Sequence, residues 1–173
     1  ETTPINPRSP YAASKASSDL LCMAYINTFK CNISITRCCN NYGPNQHAEK
    51  FIPTIIKSLS KGKKVPIYGE GLNIREWVHV HDHNLAVWAV ATKGNKEVYN
   101  IGSGLELTNI ELVDKICNIM GKDLDQNAIF VEDRLGHDFR YSIDCNKIRD
   151  ELLYEPMYLD FDEQLVQLVK EYG

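Results

Sequence analysis

No stretch of this 173-residue chain is apolar for long enough to cross a membrane as a helix. The opening residues Glu1-Thr2-Thr3-Pro4 have neither the basic nor the apolar segment of a signal peptide. Positive charge is not in excess. With 19 Lys and Arg against 23 Asp and Glu the net charge is -4, so the composition argues against a nucleic-acid or membrane-surface partner. The six cysteines (Cys22, Cys31, Cys38, Cys39, Cys117, Cys145) include no C-x-x-C pair. They fit buried thiols in a reducing compartment better than a disulfide framework, so a cytoplasmic location is expected. Adjacent Cys38 and Cys39 point to opposite faces of a strand, which disfavours a shared metal. There is no internal repeat, no low-complexity tract and no G-x-G-x-x-G.

What is present is an ordinary composition, 43% hydrophobic and 24% charged, in a chain long enough for one domain with a real core. Its chemistry concentrates in Ser9-Pro10-Tyr11-Ala12-Ala13-Ser14-Lys15. Ser9 is a good N-cap and Pro10 suits the first helical position. A helix from there to about Phe29 puts Tyr11 and Lys15 one turn apart on one face. A phenol with a pKa near ~10 is a poor base at neutral pH, but an ammonium within ~4–6 Å favours the phenolate. The pair is therefore a means of removing a hydroxyl proton. The spacing alone is common on helices, where an exposed pair is the ordinary explanation.

Further along, Ile33–Cys38 alternates as a strand, and Cys39-Asn40-Asn41-Tyr42-Gly43-Pro44 reads as a turn at its carboxyl end, where α/β folds bind ligands. Phe51–Ser60 has helical spacing and ends before Gly62. Pro66–Gly69 and Ile74–Val80 read as strands, and Asp82 as the cap of a helix ending near Gly94. Val98–Gly102 is a strand and turn. Thr108 and Glu111 form a capping box for a helix ending at Gly121. After the strand Ile129–Val131 comes a polar loop, 132–138. Asp144 is expected to cap a short helix to about Leu152, and Asp160 the last helix, with Glu163 closing its box. No linker is evident, so residues 1–173 read as one compact unit. A Tyr–Lys base implies a hydride acceptor, usually a nicotinamide bound by a glycine-rich loop. That loop is missing, and the chain opens just before the helix, which leads to the expectation of a piece of a larger protein.

In this order and spacing, S-P-Y-A-A-S-K-A-S-S-D, R-C-C-N-N-Y-G-P, I-R-E-W-V-H-V-H-D-H, Y-N-I-G and D-R-L-G-H-D resemble the C-terminal half of the nucleotide-sugar 4,6-dehydratases, members of the extended short-chain dehydrogenase/reductases. The resemblance covers essentially the whole chain. It implies an α/β fold: the last strands and helices of a Rossmann-type parallel sheet, to about residue 45, then a smaller mixed α/β region that mainly binds the nucleotide sugar. The N-terminal dinucleotide-binding part would be missing. The implied substrate is dTDP-glucose, with UDP-glucose as the alternative, and the implied cofactor is NAD.

Residue by residue, the resemblance makes Tyr11 the base at the sugar 4-hydroxyl and Lys15 the holder of the nicotinamide ribose. Cys38 and Asn41 would line the nicotinamide side, and Asn40 would contact the hexose–diphosphate. Lys50 and Phe51 would approach the nucleotide, and Pro66 and Tyr68 would flank its base. Arg75 and Arg134 suit the diphosphate, since a guanidinium grips two phosphate oxygens at once. Asn100 and His137 would complete the pocket. A Thr-Asp-Glu set for water loss across C5 and C6 would lie before Glu1, so the chain alone is expected to be inactive. The family also dimerises through a helix bundle containing the Tyr–Lys helix, which implies apolar surface left uncovered here.

Plainer readings stand beside these. Arg75 as a surface residue paired with Glu76, Tyr68 as a packed strand aromatic, Asn40 and Asn41 as turn residues, and Cys38 as a small packed side chain all remain open. His79 and His81 fall on one strand face, as a zinc pair does, but no further ligand follows at metallohydrolase spacing, so no metal is expected. Lys61-Gly62-Lys63-Lys64 reads as a solvated helix end. A 4-epimerase or UDP-glucuronate decarboxylase would share Tyr11 and Lys15. A non-catalytic nucleotide-binding module would keep only the arginines.

Overall fold

The fold is built from fifteen short elements in a computed structural model that describes residues 1–173. The first helix, α1 (Pro10–Phe29), starts as expected: the Ser9 hydroxyl accepts from the Ala12 amide at 3.1 Å and Pro10 occupies the first position. Strand β1 (Ile35–Cys38) follows, two residues shorter than the alternation suggested. The segment read as a turn contains a strand, β2 (Asn40–Tyr42), because it finds a parallel partner far away in sequence. Next come α2 (Phe51–Ser60), β3 (Val65–Tyr68), β4 (Ile74–His79), α3 (Val80–Lys93) and β5 (Val98–Ile101). Then β6 (Leu105–Thr108), α4 (Asn109–Ile119), α5 (Leu124–Asn127), β7 (Ala128–Val131), β8 (Arg140–Tyr141), α6 (Asn146–Leu152) and α7 (Phe161–Tyr172) complete the chain. Neither β6, α5 nor β8 was legible in the sequence: each is two to four residues long and owes its form to its neighbours.

Three small sheets result. Strand β1 pairs in parallel with β5, and β3 with β7. In the third, β4 is central, parallel to β2 and β8 and antiparallel to β6. The larger core forms where α2, α4 and α7 lay their apolar faces on β3, β4 and β7. Ile52, Ile55, Ile56 and Leu59, at helical spacing on α2, meet Leu112 and Ile116 of α4 and Leu165 of α7, all fully buried. Each such side chain contributes about 1.5–3 kcal/mol of burial. A second core joins α3, α6 and β5 around Ala86, Tyr99, Ile101 and Ile148. Helix α1 buries no residue, and Leu20, Leu21, Tyr25 and Phe29 are exposed along it. An ion pair of 2.7 Å between Asp19 and Arg37 ties α1 to β1.

Two expected caps behave differently, and a third forms without its box. Helix α3 is capped by His79, whose Nδ1 accepts from the His81 amide at 3.3 Å. Asp82, expected to be that cap, lies inside the first turn, buried, and accepts the Met157 and Tyr158 amides at 3.0 Å each. It anchors the run before α7 instead. Asp144 accepts from the Asn146 amide in a local turn, and Cys145 is the N-cap of α6. The capping box of α4 forms in full, whereas in α7 Asp160 accepts from the Glu163 amide with no return bond from Glu163.

Glu76 is the residue whose weight the sequence concealed. It is fully buried in β4 and unpaired with any cation; Oε1 accepts the Ser103 and Gly104 amides and Oε2 the Ile143 amide, each at 2.9 Å. A Cβ on Gly102 would overlap this carboxylate, which accounts for glycine in the Y-N-I-G turn. Glu76→Ala, which strands three buried amides, is expected to lower unfolding free energy by about 3 kcal/mol in urea titration, and Gly102→Ala to destabilise as well.

Candidate functional site

On α1, the hydroxyls of Ser14, Ser17 and Ser18 bond back to carbonyls one turn earlier and so lie against the helix. Tyr11 and Lys15 project from it, with Tyr11 75% exposed. Across from them is the end of β1. There the Asn41 amide donates to Cys38 Sγ at 3.4 Å and to the Cys39 carbonyl at 3.3 Å, while its Oδ1 is buried without a partner. Burial pushes the Cys38 thiol up, and the Asn41 hydrogen bond and the Lys15 charge pull against that. Cys38 and Asn41 are in direct contact, and the Lys15 charge acts on Cys38.

The second group gathers on the 132–138 loop. The Arg134 guanidinium lies 4.8 Å from the Tyr68 ring centre, a cation–π contact, and 3.0 Å from His137 Nε2. Arginine can only donate, so Nε2 accepts and His137 keeps its proton on Nδ1. That nitrogen donates to Asp133 at 2.7 Å and holds the carboxyl below the usual range. Arg75 is not paired with Glu76; it donates to the Ile74 and Asp138 carbonyls at 2.7 and 2.8 Å. Burial lowers its pKa, Asp138 opposes that, and Arg134 adds to it. Two guanidinium groups thus stand close enough to repel each other, neither in a salt bridge with a carboxylate. Such a pair can grip an anion.

The other expected residues are distributed unevenly. Pro66 and Tyr68 sit on one face of β3, with Ile129 and Val131 of β7 in register beside them. Asn40 lies on β2 opposite Trp77. Lys50 is the exposed residue before α2, and Phe51 packs against the larger core. Asn100 is buried on β5, where its side chain donates to the Asp144 carbonyl at 2.9 Å and its amide to the Glu1 carboxylate; no contact joins it to the arginines. The link between the two groups is a residue that sequence reasoning passed over, Tyr141: its hydroxyl donates to the Cys38 carbonyl at 3.2 Å, and it lies beside Arg75 in register.

The sequence of this site can now be set against known proteins. A family model described as GDP-mannose 4,6 dehydratase matches residues 1–168. The chain belongs to that family. It is 48% identical to the dTDP-glucose 4,6-dehydratase of Streptomyces antibioticus over 173 residues, 99% of this chain and 51% of that protein. The dTDP-glucose 4,6-dehydratase of Streptomyces venezuelae, crystallised with NAD, superimposes with a TM-score of 0.95 at 48% identity, over 99% of this chain and 53% of that one. A UDP-glucose 4-epimerase of Thermotoga maritima, with UDP-glucose, has a TM-score of 0.87 at 28% identity, over 96% and 54%. The chain spans about half the length of the curated relatives it matches. Its fold is thus the C-terminal portion of a Rossmann-type short-chain dehydrogenase/reductase.

The histidine run takes a structural form. Strand β4 ends at His79, so His79 and His81 do not share a strand face. His79 is buried, stacked on Tyr158 at 4.0 Å, with Nδ1 used in the helix cap. Burial holds both His79 and His83 below the ordinary value of 6.5. The folded state therefore binds fewer protons than the unfolded chain in the window just below 6.5. Stability is complete above that value and is lost as pH falls towards the lowered folded pKa. Urea midpoints are expected to drop between about pH 7 and about pH 5, and less steeply in His79→Asn, which still caps but does not titrate.

Proposed function

We propose that this chain carries the proton-abstracting base and the substrate-binding half of an NAD-dependent dTDP-glucose 4,6-dehydratase, a lyase that converts the nucleotide sugar to its 4-keto-6-deoxy form. The observation that carries the reading is the convergence of an exposed Tyr11–Lys15 pair with two mutually repelling arginines through one tyrosine. Names borne by relatives at 43–48% identity support it. The 4-epimerase reading rests on structures of lower identity, 28% for the Thermotoga maritima enzyme.

The diphosphate would bridge Arg75 and Arg134, each offering paired N–H donors to phosphate oxygens. Tyr68, already stacked under Arg134, would flank the base with Pro66, and His137 would hold Arg134 in place. From that anchor the hexose extends towards α1, where Tyr11 takes the proton of the 4-hydroxyl. The Lys15 ammonium meets the ribose of the cofactor. Cys38 and Asn41 fit the nicotinamide side, since the buried Asn41 Oδ1 is an acceptor without a donor. NAD, when bound, supplies the acceptor for the hydride from C4 and its return at C6. Water loss across C5 and C6 is assigned to no residue of this chain.

In this reading residues to about 45 serve the cofactor side and later ones mainly the nucleotide sugar. Leu20, Leu21, Tyr25 and Phe29, left uncovered on α1, would meet a second copy in a homodimer. Six unpaired thiols suit the cytoplasm.

The test uses the protein expressed from its complete reading frame with dTDP-glucose, UDP-glucose and NAD. The 4-keto-6-deoxy product is expected from dTDP-glucose, and Tyr11→Phe is expected to lower kcat by at least about 100-fold. Undiminished turnover in that variant would remove the assigned base. Arg134→Gln is expected to weaken dTDP binding roughly tenfold by calorimetry, without abolishing folding.

A further inference from the structure

Tyr141 belongs to neither group of site residues, yet it touches both. It is the last residue of β8 and pairs in register with Arg75 of β4. Three residues before it, the Asp138 carbonyl accepts from the Arg75 guanidinium, and the Phe139 carbonyl accepts the Ile74 amide at 2.7 Å. The segment that carries Arg134 and His137 is thereby tied to Arg75 as one piece. On the opposite side the Tyr141 hydroxyl reaches the Cys38 carbonyl at 3.2 Å, and no other hydrogen bond joins residues 132–141 to β1. Burial chiefly pushes the Tyr141 phenol up, and Cys38, Cys39, Tyr11 and Asp138 push in the same direction.

We infer that Tyr141 is a positioning residue: its hydroxyl latches the segment bearing the paired arginines to the strand end beside Tyr11, and so sets the distance between the anchored diphosphate and the base. This rests on the reading of Tyr11 as base and of the arginines as the diphosphate site. A substrate gripped at one end and deprotonated at the other needs those two points fixed relative to each other. Proton abstraction falls off steeply when the reacting atoms are misplaced by a fraction of an ångström to an ångström. A single O–H···O=C bond across the cleft supplies the fixing without touching the reacting atoms. The ring of Tyr141, packed beside Arg75, stays in place when the hydroxyl is removed.

The test is Tyr141→Phe in the protein expressed from its complete reading frame. Expected are a kcat for dTDP-glucose lowered about tenfold, KM and the Kd for dTDP within about twofold of wild type, and an unchanged Tm. Trypsin cleaves after Arg37, so the peptide beginning at Cys38 reports on the strand end. Its alkylation by iodoacetamide is expected to quicken several-fold once the latch is gone. A kcat within about twofold of wild type overturns the inference, as does a fall in dTDP affinity and Tm alongside kcat, which marks a merely structural role. If the wild type turns over no nucleotide sugar, the functional reading falls, and Cys38 alkylation alone decides the latch: unchanged rates overturn it.

Discussion

A carboxylate with no cation beside it, sunk in the middle of β4, holds this structure together. Glu76 gathers the amides of two separate turns, 103–104 and 143, onto the central strand. Those turns lead into β6 and α6, and residue 143 closely follows β8. Desolvating a charge costs several kcal/mol unless hydrogen bonds replace the lost water, and three amide donors do so here. The requirement reaches outward. It excludes a side chain at Gly102, it fixes where the chain turns after β5, and it places Arg75 and Trp77, the neighbours of Glu76, on the opposite face of β4. The site depends on that registry, because Arg75 and Tyr141 meet only through the β4–β8 pairing.

From this frame the two halves of the site follow by different physics. The Tyr–Lys pair is local: a capped helix places residues four apart on one face regardless of what surrounds it. The arginine group is assembled from three segments, β3, β4 and the 132–138 loop, with Tyr68, Arg75 and Arg134 brought together by cation–π stacking and backbone acceptors. Their charges repel, Asp138 offsets that repulsion at Arg75, and neither guanidinium is closed off by a salt bridge. Helix α1 shows the same logic in apolar form, with large side chains that find no cover within the chain.

Much of this was legible in the residues. Long elements, α1, α2, α4 and α7, appear where their residues put them: α1 carries its start in Ser9 and Pro10, and α2, α4 and α7 carry their buried faces in contiguous residues. Arg134 and His137 lie three apart in one motif and do meet. What misled were side chains with two plausible partners. Asp82 looks like a cap, but the amides of Met157 and Tyr158 compete for it from 75 and 76 residues away. Asn100 appears suited to a ligand and is engaged by the chain itself. The strands β2, β6 and β8 are too short to carry a periodic signal and exist because β4 offers edges to them.

The sequence by itself determined the Tyr11–Lys15 face, the anion-matched residue types and the family, because helical spacing and motif chemistry are properties of neighbouring residues. Only the tertiary structure decided that Glu76 is a buried anchor and that Arg75 and Arg134 stand near each other, neither in a salt bridge. It alone placed Tyr141 between the two groups of site residues. Those relations join positions 27 to 103 residues apart, and no local pattern encodes which distant amide, carbonyl or ring a side chain will meet once the strands have paired.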